Sequence, residues 1–152
     1  MAKDTIILSL NCGSSSVKYQ LYNWTQKEIM AKGLVERVTF PGSVIVHEVP
    51  GREPLKLEKE CPDHQVAIQM ILETLLHENH PVISDVSQIS GVGHRVVHGG
   101  EHFAKSTLIN DDVIAAFEEL SSLAPLHNPP NVLGIKAAQA IMPDAPHVAV
   151  LD

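Results

Sequence analysis

The chain has 152 residues, 11 of them basic and 18 acidic, for a formal charge of −7 with histidine neutral. That length can bury one sizeable core, and nine glycines with ten prolines exclude a collagen-like or low-complexity chain. The acidic balance argues against a generic nucleic-acid or anionic-membrane binder, yet leaves room for a small local phosphate pocket.

The N-terminus reads MAKDTIILSLNCGSSS. Its apolar run, Ile6 to Leu10, is too short for a signal segment or a membrane span. Charge or proline interrupts every other apolar stretch well before about 18 residues. Cys12 and Cys61 are the only cysteines. One pair is no disulfide scaffold, so two reduced thiols in a cytoplasmic protein are expected.

The first half predicts strands. Residues 5–10 are β-branched and aliphatic and stop sharply at Asn11-Cys12-Gly13-Ser14-Ser15-Ser16. Residues 17–24 alternate, with Val17, Tyr19, Leu21 and Asn23 on one face and Lys18, Gln20 and Tyr22 on the other. After a turn at Thr25-Gln26-Lys27 comes a third strand, 28–38, in which Gly33 marks a bulge or close packing. These make an antiparallel meander. A hairpin over 43–49 and 54–57, around Pro50-Gly51, reads as a peripheral flap.

The period then changes. Residues 64–77 repeat Ala67, Ile68, Ile71, Leu72, Leu75 and Leu76 at helical spacing, with Asp63 as N-cap. Residues 88–97 are strand-like. A helix is predicted over 110–124, and another opens at Asn128-Pro129-Pro130 and closes at Pro143. Residues 147–151 form a last strand before Asp152. Strands alternating with helices after a meander favour a mixed α/β sheet covered by helices.

Four features carry candidate chemistry. In LNCGSSSVK, three hydroxyls and a glycine occupy a tight turn between strands. Its backbone N–H groups suit an anion nest, Asn11 offers an amide near a metal or water, and Lys18 a compact positive charge. The same residues suit a hairpin whose serines cap their own backbone, and both readings stay open. There is no GxxxxGK[ST] loop. Gly91-Val92-Gly93-His94-Arg95-Val96 lacks the sixth-position glycine of a dinucleotide fingerprint, and a strand continues there where a helix would be needed.

In GVGHRVVHGGE, Arg95 lies among apolar neighbours, where a guanidinium is costly unless it meets an anion. Val97 shares its face if the segment is extended, which would make a charged clamp beside a small apolar wall. An internal salt bridge is the alternative. His94 and His98 have no helix to make them a metal pair. His47, His64, His77, His80, His102 and His147 read as surface or partly packed groups. In SLAPLHNPPN, a proline-stiffened loop holds Leu126 and His127. Asp152 stands at the C-terminal end of a probable buried strand, the usual ligand edge of an open α/β sheet.

Together LNCGSSSVKYQL, PDHQVAI, GVGHRVVHGGEHF and SLAPLHNPPNVLGIKAA, ending in VAVLD, closely resemble the N-terminal part of the acetokinase family, the acetate kinases. That family lies in the superfamily of acetate and sugar kinases, heat-shock ATPases and actin. The resemblance covers essentially the whole chain. It implies a ribonuclease H-like (actin-like ATPase) α/β domain over residues 1–152, with a mixed five-stranded sheet. It also implies reversible, ATP-dependent phosphorylation of acetate to acetyl phosphate, with Mg²⁺ and with Mn²⁺ as a substitute.

By the same resemblance, Asn11 sits by the magnesium and phosphates. Ser14, Ser16 and Lys18 line the phosphoryl-transfer region, and Arg95 holds acetate or acetyl phosphate. Val97 and Leu126 wall the methyl pocket, His127 lies near the phosphoryl path, and Asp152 is catalytic. Acetokinases carry a second, similar domain with adenosine-binding glycine motifs absent from this sequence. The chain is therefore expected to be a fragment, inert on its own, of a cytoplasmic and homodimeric enzyme with no nucleic-acid or membrane partner. Propionate or butyrate kinase of the same family is the alternative, and a structural fragment without activity is another.

Overall fold

The computed structural model describes residues 4–76, 82–96, 107–108 and 128–151. Strands β1 (Ile6–Cys12), β2 (Ser16–Asn23), β3 (Glu28–Glu36), β4 (Val44–Glu48) and β5 (Leu55–Glu58) come first. Helix α1 (His64–Leu75) leads to β6 (Gly91–Val96), then β7 (Thr107–Leu108), helix α2 (Asn128–Ile141) and β8 (His147–Leu151). The helix expected over 110–124 lies outside the described residues.

All eight described strands form one sheet in the order β5-β4-β3-β2-β1-β6-β8-β7. The antiparallel meander runs from β5 to β1, and β1, β6 and β8 are mutually parallel. The five expected strands are its middle, β3-β2-β1-β6-β8. The hairpin expected as a peripheral flap instead extends the sheet, because β4 pairs with β3 over Val44–Glu48 and buries Ile45. At the other edge β7 runs antiparallel to β8.

Alternation decides which side of the sheet is covered. Leu8, Leu10 and Cys12 of β1 and Val17, Tyr19 and Leu21 of β2 are buried, as are Ile68, Ile71 and Leu75 of α1 and Ile135 and Ala138 of α2. Each such Leu, Ile or Val side chain contributes about 1.5–3 kcal/mol on burial. The Asp63 carboxylate accepts from the Val66 N–H at 2.9 Å and fixes where α1 begins. Pro129 and Pro130 fall in the first turn of α2, where a missing N–H costs nothing.

Gly33 answers to close packing. A Cβ there would collide with the Tyr19 hydroxyl and the Val46 carbonyl, while the bulge lies at Leu21/Tyr22. Among the described residues no helix is long and apolar enough to cross a membrane.

Candidate active site

The first strand is longer than its sequence predicts. Asn11 and Cys12 belong to β1, where Asn11 pairs with Lys18 and Cys12 with Val17. Cys12 is apolar enough for the core, and Asn11 is tolerated because its side of the sheet is open. The turn is thereby cut to Gly13-Ser14-Ser15. The Gly13 N–H donates to the Ser16 carbonyl at 2.8 Å, and the Val38 N–H donates to the Ser15 carbonyl at 3.0 Å.

On the side of the sheet away from Leu8, Leu10 and Val17, the same alternation gathers polar groups. Asn11, Lys18, Gly93 and Arg95 line one open cavity of about 750 Å³. Ser9 pairs with Gly93 across the parallel β1–β6 ladder. Lys32, Glu36 and Glu48 line the cavity toward β3 and β4. Among the described residues three cations, Lys18, Lys32 and Arg95, line it with two carboxylates, a local balance unlike the chain's net −7. The Lys32–Glu48 pair is 4.0 Å apart and exposed, so it adds little to stability.

Arg95 corrects one expectation. It is exposed on the open face and not enclosed by its apolar sequence neighbours. Strand alternation sends Val92 and His94 inward, and Arg95 outward. The guanidinium thus lies in water-accessible space. Ser14 is exposed at the tip of the turn, and Ser16 is half-buried opposite Glu36. Among the described residues that line the cavity are Asn11 and Lys18 but neither serine. Val97, Leu126, His127 and Asp152 lie outside the described residues. Gly91–Val96 is strand throughout, which agrees with the absence of a dinucleotide fingerprint.

Three histidines depart from the expected surface or partly packed placement: His47, His64 and His147 are buried, and His94 is buried as well. His64 Nε2 lies 2.7 Å from the Gly13 carbonyl oxygen. The Tyr19 hydroxyl lies 2.6 Å from His47 Nδ1, and burial pushes the Tyr19 phenol up, helped by Glu48. His94 and His147 pair beneath the strand that carries Arg95. Parity was the signal for His47 and His94. Each stands two residues from a buried aliphatic, Ile45 and Val92, in an alternating strand.

Among the described residues no group of three or more His, Cys, Asp or Glu converges as a metal cage. The donor chemistry fits a different arrangement. Mg²⁺ takes oxygen ligands, retains several waters and binds largely through substrate phosphates. The half-buried Asn11 amide on the cavity wall would offer a neutral oxygen to such an ion or its waters.

A family model described as the Acetokinase family matches residues 6–152. The acetate kinase of Geobacter sulfurreducens is 60% identical over 147 residues, which are 97% of this chain and 35% of the relative. That of Geobacter metallireducens is 59% identical over the same shares. The crystal structure of Porphyromonas gingivalis acetate kinase superposes with a TM-score of 0.94 at 42% identity, over 97% of this chain and 37% of that one. A propionate kinase structure from Francisella tularensis gives 0.85 at 36% identity, over the same shares. The chain thus spans about a third of the length of the relatives it matches. The shared fold is the mixed sheet flanked by helices of the actin-like ATPase superfamily.

Proposed function

Because this chain belongs to the acetokinase family, we propose that it supplies the carboxylate- and phosphoryl-binding face of an acetate kinase. The reaction is reversible transfer of the ATP γ-phosphoryl group to acetate, giving acetyl phosphate. One observation carries the reading: Asn11, Lys18 and Arg95, from three different strands, line one cavity on the open face of the sheet. The family's homodimer belongs to the same proposal, as does the assignment of residues 1–152 to an N-terminal domain.

Acetate is already a carboxylate at neutral pH, so its oxygen needs no base to become a nucleophile. What the transfer needs is alignment and neutralisation of charge. The Arg95 fork grips the acetate carboxylate or the acyl phosphate through paired N–H groups. Lys18 supplies a compact charge to the phosphoryl oxygens, and the Gly13–Ser15 turn with the Ser14 and Ser16 hydroxyls supplies neutral donors. Asn11 would hold a magnesium ion or its water; when bound, that ion neutralises phosphate charge. By family resemblance, Val97 and Leu126 wall the methyl group. His127 steadies the phosphoryl path, and Asp152 orients groups electrostatically.

A second reading, preference for propionate, draws on the likeness to the Francisella propionate kinase. One methylene is worth about 1–3 kcal/mol in such a pocket, so overlapping substrate use is expected. The test joins this chain to the remaining two thirds of the Geobacter sulfurreducens enzyme. Acyl phosphate is then measured with acetate, propionate and butyrate. Acetate is expected to give the highest kcat/KM. A folded hybrid that phosphorylates none of the three overturns the proposal.

A further inference from the structure

We infer that His64 is a positioning residue for the phosphate-binding turn, acting through its hydrogen bond to the Gly13 carbonyl. The inference rests on the reading that this turn receives phosphoryl oxygens.

His64 opens α1, 51 residues away from Gly13, and is buried. Its Nε2 lies 2.7 Å from the Gly13 carbonyl oxygen. A carbonyl can only accept, so Nε2 carries the hydrogen and donates. Asp63 caps the same helix start, so the imidazole projects from a fixed point. The turn is tied by its carbonyls: Gly13 to His64, Ser15 to the Val38 N–H and Ser16 to the Gly13 N–H. Tethers on the carbonyls hold the peptide planes, and so set the directions of the turn's remaining N–H groups. Gly13 also lets the turn close tightly, since a Cβ there would come within 3.0 Å of the Ser16 hydroxyl oxygen.

An imidazole is suited to this task. It donates one directed bond from a rigid ring. The cost of ordering the turn is met in folding, before ligand arrives, which is the general advantage of a preorganised anion site. Arg95 lies on a different strand and is not tied to this turn by any of the three bonds, so the effect of His64 is specific to phosphate.

The test titrates the ¹⁵N-labelled chain with acetyl phosphate and, separately, with acetate, following the Gly13–Ser16 amide resonances and the Kd of each ligand. His64→Ala is expected to weaken acetyl phosphate at least tenfold while acetate stays within twofold. His64→Gln, whose amide nitrogen reaches a similar distance, is expected to recover most of the loss. Should the alanine variant not fold, His64→Gln against the shorter His64→Asn carries the same comparison. Equal weakening of both ligands shows a general structural role and overturns the inference, as does unchanged acetyl phosphate affinity in a folded variant. If the unsubstituted chain binds acetate but shows no response to acetyl phosphate, the phosphate reading of the turn fails and the inference falls with it.

Discussion

His94 and His147 are joined by a buried hydrogen bond, with His94 Nε2 2.9 Å from His147 Nδ1 and the rings stacked at 5.2 Å. His147 Nε2 in turn lies 2.9 Å from the Met142 carbonyl oxygen. The carbonyl fixes both tautomers. It demands a hydrogen on His147 Nε2, which leaves His147 Nδ1 as acceptor and makes His94 Nε2 the donor. A chain of directed bonds thus runs from the residue after α2 to the residue before Arg95.

This pair predicts a pH dependence of stability. Burial first, and the neighbouring His147 second, push the His94 pKa down to about 3. The unfolded histidine takes a proton near pH 6.5. Between those values the unfolded chain binds more protons than the folded one, so stability rises with pH. The contribution is full above about pH 6.5, drains as pH falls toward 3, and changes by at most about 1.4 kcal/mol per pH unit. Urea unfolding of the chain and of His94→Gln at pH 7.5, 6 and 5 isolates it. The gap between the two should narrow as the buffer is acidified; a constant gap removes His94 as the source.

Arg95 predicts a separation of charge from geometry. Arg95→Lys keeps the charge but loses the planar fork, and should cost at least about tenfold in acetate or acetyl phosphate affinity. Because Arg95 is exposed, the melting temperature should change little. Calorimetric titration beside a thermal melt checks both. Retained affinity in the lysine variant would show that Arg95 acts as a point charge only.

Much of this was legible in the residues. Val17, Tyr19, Leu21 and Asn23 alternate with Lys18, Gln20 and Tyr22, and that alone places Lys18 on the open side. The spacing of Ala67, Ile68, Ile71 and Leu75, with Asp63 before them, gives α1 and its start. Other features were hidden for physical reasons. Asn11 reads as a loop residue by propensity, and its place in β1 follows from pairing with Lys18. Arg95 looks enclosed in a linear reading because that reading does not show the strand alternation that sends Val92 and His94 to the opposite face. The buried histidines have partners 28, 51 and 53 residues away in sequence, beyond any local pattern.

Gly33 predicts a backbone-limited packing cost. Adding a methyl group there meets the Tyr19 hydroxyl and the Val46 carbonyl together. Gly33→Ala should destabilise by about 1–3 kcal/mol, despite the usual preference of strands for alanine over glycine. Tyr19→Phe should not rescue it, since the Val46 carbonyl remains in place. Denaturant unfolding of the two single variants and the double variant decides the matter. Rescue in the double variant would mean that the hydroxyl alone sets the limit.

The two thiols predict slow chemistry in the folded chain. Cys12 and Cys61 are buried and not joined in a disulfide. Burial pushes Cys12 up to about 12. Burial also raises Cys61, against a lowering hydrogen bond from Ser43. The thiolate is the reacting form, so at pH 8 Cys12 should alkylate about a thousandfold more slowly than an unfolded cysteine. Cys12 lies between Asn11 and Gly13, so its labelling also reports opening of the β1–β2 hairpin that holds the phosphate turn. Iodoacetamide followed by intact-mass measurement should therefore show an unmodified native chain and two additions in urea. Acetyl phosphate should slow the residual native labelling of Cys12 if it binds across that hairpin. Rapid modification of Cys12 in the native chain would show that the hairpin opens freely, and would remove the rigid turn on which the proposed phosphate site depends.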